Sequence, residues 1–310
     1  MRSCLTPIGA ILSLAGRCDR ERGGCEFVTT HAVERLGARL VYEIVGEGMP
    51  AIVVPGGPGF GSTYLHDSLA RLADGHRRLI FIDQRGSGRS SGHQQPELLT
   101  MTAFVDDLEC IRSAIGEDRI DLIGHSFGGL QSLFYALAHP DRLRRLVLVE
   151  SDPPTFQEWR RFRDVVAERR TEQRDSVLQS IESRESWRTD PASVEAYFRT
   201  YLQSYFGRSD CASRLAFGFT ADSLDKMAVT TRAIREDLGD WDIRTALRSL
   251  TTPALVIYGT HSIFPHRAVL SMQDALPHAR FEMMEDVGHF PFLEDANAFS
   301  RIVQDFLIAR

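Results

Sequence analysis

Between residues 39 and 150, short apolar runs alternate with stretches whose apolar residues recur at helical spacing. "RLVYEIV" (39–45), "AIVVPGG" (51–57), "RRLIFID" (77–83), "RIDLIGH" (119–125) and "RRLVLVE" (144–150) read as strands. Thr63–Ala73, Met101–Ile115 and Phe127–Ala138 read as helices between them. Strands alternating with helices predict parallel βαβ units and a sheet covered on both faces.

The alternation stops near Pro153-Pro154, and residues from about 155 to 240 read as helices only. Trp159, Phe162 and Val166 recur at helical spacing within a face rich in both charge signs. Val194, Tyr197, Phe198, Tyr201, Leu202 and Tyr205 form a second apolar stripe. From Pro253 the first pattern returns, with "PALVIYG" and "RFEMME" as strands and Pro265–Leu276 and Ala296–Ile308 as helices. The expected organisation is a leader over 1–26, an α/β core over 27–154 and 241–310, and a helical cap over 155–240. The cap is expected after the sixth strand, over the carboxyl ends of the strands, where open α/β sheets bind ligands.

Composition narrows the function classes. The chain has 310 residues, a formal net charge of −6 and a pI near 5.9. Nucleic acid is not an expected partner, since its phosphates call for a basic patch. No apolar run reaches the length of a membrane span. Lys226 is the only lysine, so positive charge is nearly all arginine. The stretch "MRSCLTPIGAILSLAGRC" reads either as a leader or as a weak export signal, and the cytoplasm is the expected compartment. Cys4, Cys18, Cys25, Cys110 and Cys211 do not form metal spacings, so no metal is expected.

Candidate chemistry comes from three loops. Gly124-His125-Ser126-Phe127-Gly128 fits G-x-S-x-G and sits between an apolar strand and a helical run, the context of a nucleophile elbow. Pro55-Gly56-Gly57-Pro58-Gly59 follows the strand Ala51–Val54. Such a loop can aim a backbone N–H at a substrate oxygen, with the Phe127 N–H as second donor of an oxyanion hole. As a nucleotide loop it lacks the Walker lysine and the G-x-G-x-x-G spacing. Asp286-Val287-Gly288-His289-Phe290-Pro291 follows the last strand, which sets His289 at the top of the sheet beside the elbow.

Four motifs, "GGPGFG" (56–61), "DQRGSGRS" (83–90), "GHSFGG" (124–129) and "GHFPFLE" (288–294), resemble those of the α/β-hydrolase superfamily, and within it the proline iminopeptidase-like branch. The resemblance covers roughly 38–150 and 240–309 and implies an α/β-hydrolase fold. It implies Ser126 as nucleophile, His289 as base, and Gly57 with Phe127 as oxyanion donors. "DQRGSGRS" is implied as a structural loop.

The chain departs from that pattern where the family carries an aspartate to orient the histidine. The loop reads Gly259-Thr260-His261-Ser262-Ile263-Phe264-Pro265, with Ser262 at the aspartate's place. Glu150, ending "LVLVE", resembles the acid of other superfamily branches, certain haloalkane dehalogenases among them. Asp152 is the second candidate, and a dyad supported by Ser262 or water the third. A serine at the elbow excludes the dehalogenase mechanism, which needs an aspartate nucleophile.

Substrate signals are weaker. Pro55 stands where the family usually has histidine, and nothing selects among Glu158, Glu195 and Asp222 as holders of a substrate amine. Tyr197, Tyr201 and Tyr205 are candidate pocket residues. The expected activity is a serine hydrolase cleaving a small ester or amide through an acyl-enzyme, with no metal or organic cofactor. The alternatives are a prolyl aminopeptidase and a hydrolase-fold receptor without catalysis. Oligomeric state is not fixed by the sequence.

Overall fold

The structure, a computed structural model, describes residues 10–19 and 24–308. Nine strands form one sheet: β1 (Ala10–Asp19), β2 (Gly24–Arg35), β3 (Ala38–Gly46), β4 (Met49–Val54), β5 (Arg77–Ile82), β6 (Ile120–His125), β7 (Leu143–Val149), β8 (Ala254–Gly259) and β9 (Arg280–Met284). Their order is β1-β2-β3-β5-β4-β6-β7-β8-β9. The pairs β1/β2, β2/β3 and β3/β5 are antiparallel, and from β5 through β9 every pair is parallel. Strands β6 and β8 are buried along their whole length, as a sheet covered on both faces requires.

The helices are α1 (Thr63–Leu69), α2 (Met101–Ala114), α3 (Phe127–Ala138), α4 (Phe156–Trp159), α5 (Phe162–Glu168), α6 (Glu172–Glu182), α7 (Pro191–Tyr201), α8 (Ser223–Leu238), α9 (Arg244–Leu247), α10 (His266–Ala275), α11 (Pro291–Glu294) and α12 (Ala296–Ile308). Local chemistry starts several of them. The Thr100 and Thr171 hydroxyls and the Asp190 carboxylate accept the third backbone N–H beyond them, which caps α2, α6 and α7. Pro191 opens α7, where its missing N–H removes nothing from the helix.

Two outcomes differ from the sequence expectation. Part of the segment read as a leader, Ala10–Asp19, pairs with β2 at the sheet edge, and Leu36-Gly37, both at positive φ, turn β2 into β3. Residues 1–9 and 20–23 of that leader lie outside the described residues. The helical segment α4–α8 follows β7, so the count shifts from the expected sixth strand because the sheet begins earlier than the apolar pattern showed. Among the described residues no helix is long and apolar enough to cross a membrane.

Candidate active site

Ser126 occupies the sharp turn between β6 and α3 with φ 55° and ψ −124°, a region an L-residue enters only at a cost. The surroundings over-determine it. The Ser126 N–H donates to the Val149 carbonyl (3.0 Å), and the Ser126 carbonyl accepts from Gly129 (2.8 Å) and Asp152 (3.1 Å). A side chain at Gly128 would place its first carbon 2.4 Å from the Val54 and Pro55 carbonyl oxygens, so the helix reaches the sheet this closely only with glycine there.

His289 lies in the loop between β9 and α11, buried, and its N–H donates to the Tyr205 carbonyl (2.7 Å). Its Nδ1 is 3.3 Å from Glu150 Oε2. Glu150, at the end of β7, is fully buried and accepts the Gly259 N–H at Oε1 (2.7 Å) and the Ser262 hydroxyl at Oε2 (2.6 Å). Ser262, at the family's aspartate position, therefore holds the neighbouring strand's carboxylate. Burial pushes the Glu150 carboxyl up to about 8, while the Ser262 and Gly259 donors and the charge of Arg169 pull it down. Burial pushes His289 down to about 3, so its ring is neutral at physiological pH. With Glu150 ionised, the Nδ1–H donates to it and the Nε2 lone pair is left to accept a proton.

Asp152 is set differently. It is buried, lines the cavity and accepts the Ser126 hydroxyl at 3.4 Å, so in this resting state the hydroxyl turns toward Asp152 and not toward His289. Burial pushes Asp152 up to about 7, against hydrogen bonds from Trp159 and Ser126 and the charge of Arg235.

Gly57 lines the same cavity at φ 129°. Phe127 is the first residue of α3, so its N–H has no intrahelical acceptor. A link that sequence reading missed ties this loop to His289. The Gly56 N–H donates to the Tyr64 hydroxyl (2.8 Å), and that hydroxyl sits 2.7 Å from His125 Nδ1. His125 Nε2 is 2.8 Å from the His289 carbonyl, which only an N–H can satisfy. His125 thus carries its proton on Nε2 and accepts the Tyr64 hydroxyl at Nδ1. The "DQRGSGRS" loop braces the same region. Asp83 accepts Ser62 and Arg89 donors, Gln84 donates to the Pro55 carbonyl (3.2 Å), and Arg85, fully buried, pairs with Asp107.

The cavity of about 210 Å³ is lined from the core by Ser126, His289, Tyr64 and Phe290, and from the cap by Trp159, Phe162, Phe198, Tyr201 and Tyr205. Tyr197 is outside the lining and packs on Trp187, ring centroids 5.0 Å apart. The neighbouring Phe198 faces the cavity in its place. Glu158, Glu195 and Asp222 are also outside it: Glu158 bonds Thr155, Glu195 takes the Phe217 N–H, and Asp222 pairs with Lys226.

The helical segment is stitched to two loops, 259–265 and the one that carries His289. Arg169, just past α5, donates to the carbonyls of His261 (2.9 Å) and Ser262 (2.9 Å). A first side-chain carbon at Gly288 would lie 2.3 Å from the Tyr205 carbonyl, so the two chains touch only through glycine.

A family model for the alpha/beta hydrolase fold matches residues 50–296. A proline iminopeptidase of Clostridioides difficile is 23% identical over 298 residues, covering 88% of this chain and 96% of that protein. One from Lactobacillus helveticus is 25% identical, covering 88% of this chain and 95% of that protein. The crystal structure of the proline iminopeptidase of Mycobacterium smegmatis superposes with TM-score 0.66 at 23% identity, covering 90% and 97% of the two chains. That of E-2-(acetamidomethylene)succinate hydrolase does so with TM-score 0.71 at 20% identity, covering 91% and 100%.

Proposed function

The chain belongs to the α/β-hydrolase fold family and is a hydrolase, and within that family we propose that it cleaves a small ester or amide through an acyl-enzyme on Ser126. The observation that carries this reading is one cavity holding a strained Ser126 and a buried, neutral His289 whose Nδ1 meets Glu150. Substrate binding turns the Ser126 hydroxyl from Asp152 to His289 Nε2. The base takes the proton as Oγ attacks the carbonyl, and Glu150 stabilises the imidazolium formed. The Gly57 and Phe127 N–H groups hold the oxyanion. His289 returns the proton to the leaving group, then activates the water that frees the acid. A cavity of about 210 Å³ lies below the ~300–1,000 Å³ usual for drug-sized ligands, which favours a small acyl group.

A fluorophosphonate probe and a panel of p-nitrophenyl esters test the reading. The wild type labels at Ser126 and turns over at least one ester, and S126A does neither, with turnover down on the order of 10⁶-fold. An unlabelled wild type with no turnover favours a binding protein on a hydrolase scaffold.

One observation supports a second reading, an aminopeptidase acting on a free N-terminal residue. Asp152 sits 3.4 Å from the Ser126 hydroxyl, where the α-amino group of a bound aminoacyl substrate would come. Cleavage of prolyl or alanyl arylamides but not of their N-acetyl forms would establish it. Equal rates on both would exclude it.

A further inference from the structure

The mouth of the cavity has a charge character opposite to that of the chain. Trp159 lines the cavity, and two guanidinium groups lie over its ring, Arg235 at 5.3 Å and Arg163 at 5.9 Å. Arg235 stands on α8 and lines both the cavity and the open groove outside it. That groove also carries Arg188 and Arg232, with Glu236 as its acidic member. Among the described residues, none of these four arginine side chains makes an ion pair or a hydrogen bond.

Arginines elsewhere are of both kinds, since Arg160, Arg161 and Arg267 likewise make no side-chain ion pair or hydrogen bond among the described residues. Arg35, Arg78, Arg85, Arg89 and Arg112 all pair with carboxylates. In a chain of net charge −6, the placing of Arg188, Arg232 and Arg235 along one groove beside the cavity runs against the overall charge. The Trp159 ring attracts two of them, Arg163 and Arg235, by cation–π contact, and their N–H groups make no hydrogen bond among the described residues. Partial burial, and then the charge of Arg163, pull the Arg235 pKa below the ordinary arginine value, against the opposing influence of Asp152 and Tyr201. The apolar wall between this mouth and Ser126, formed by Phe162, Phe198 and Tyr201, suits a hydrocarbon spacer.

We propose that the substrate of the Ser126 site carries a carboxylate at the end remote from the scissile carbonyl, and that Arg235, with Arg163 beside it, receives it. The inference rests on the serine-hydrolase reading above and names its substrate class. A guanidinium fork matches a carboxylate through two parallel hydrogen bonds, and a positive mouth raises the encounter rate of anions. Asp152 lines the same cavity and its charge acts on Arg235, so it is the acidic neighbour that a carboxylate held there meets.

The test pairs mono-p-nitrophenyl esters of adipic and pimelic acid with the p-nitrophenyl esters of the corresponding monomethyl diacids. In the wild type the acid form is preferred in kcat/KM by about tenfold or more, mostly through KM. The ratio falls toward one in R235Q, is partly kept in R235K, and shrinks as salt rises from about 0.05 to 0.5 M, because the mouth is exposed. Equal kcat/KM for both forms in the wild type overturns the inference and leaves the hydrolase reading standing, as does a preference untouched by R235Q and R163Q. If neither form is turned over although Ser126 labels, protection of Ser126 from a neutral fluorophosphonate by free adipate is the readout, and absence of protection overturns the inference. A Ser126 that neither labels nor turns over any ester ends both.

Discussion

The elbow at Ser126 and the proposed acid site around Glu150 keep the family pattern to different degrees. At the elbow every element is local. Glycines flank Ser126, and β6 and α3 follow directly on either side. On the acid side the expected aspartate is replaced by Ser262, and Glu150 approaches from the adjacent strand β7. The elbow is constrained by backbone: no other residue fits 2.4 Å from two carbonyl oxygens at Gly128. The acid is constrained only by where an oxygen must lie. Strand ends that converge on one histidine can supply that oxygen from either neighbour, so this half of the site can move in sequence while keeping its geometry. Ser262 then serves as a donor to the carboxylate that comes from the neighbouring strand.

If that equivalence holds, E150Q is the most damaging change on the acid side, lowering the acylation rate on the order of 10⁴-fold where histidine tautomer control is lost. Adding S262D to E150Q recovers part of the rate, because it returns the carboxylate to the other strand end. Stopped-flow release of p-nitrophenol measures both, and no recovery would mean the two strand ends are not interchangeable.

S262A sharpens the comparison with a smaller loss, about ten- to hundredfold at neutral pH, the scale of one hydrogen bond to a charged group. The Ser262 hydroxyl lowers the Glu150 pKa, so removing it raises that value. In the proposed mechanism the ionised carboxylate is the active form, and the acidic limb of the kcat/KM profile therefore moves to higher pH. A limb that stays in place would assign Ser262 to packing alone.

The smallest effect is on stability. The folded Glu150 carboxyl, at about 8, holds its proton more tightly than the ordinary value of 4.5. Its contribution to stability is complete below that ordinary value and is lost as pH rises through 8. E150Q cannot ionise, so its melting temperature gains on the wild type as pH rises from about 5 to 9. Parallel melting curves across that range would count against a buried, protonatable Glu150.

What could be read in the sequence follows the same division. The helix Phe127–Ala138 falls in the structure where the apolar pattern placed it. The place of Glu150 at a strand end, within reach of His289, was readable from the apolar run before it. The link from Tyr64 to His125 was not, because it joins residues 61 positions apart and neither type announces the other. The turn of the Ser126 hydroxyl to Asp152 depends on a side-chain rotation that no sequence pattern encodes. In the cap, the tyrosine stripe was visible, but which of Tyr197 and Phe198 faces the cavity depends on how α7 docks. The first two strands went unread because β1 and the start of β2 fell inside a stretch whose apolar run and small residues also suit a leader.

The contact between the Tyr205 carbonyl and the His289 N–H bears on how such enzymes acquire new substrates. A cap cut out at its ends and replaced by a relative's would remove the main-chain acceptor that holds the base loop, along with the Arg169 clamp on the loop beneath it. Recombination at those boundaries therefore damages the chemistry together with the selectivity. Point substitutions at Phe162, Phe198 or Tyr201 leave that acceptor untouched. For laboratory evolution, the cavity-facing side chain is then the gentler unit of change, and a grafted segment has to keep the backbone path that sets the Tyr205 carbonyl against His289.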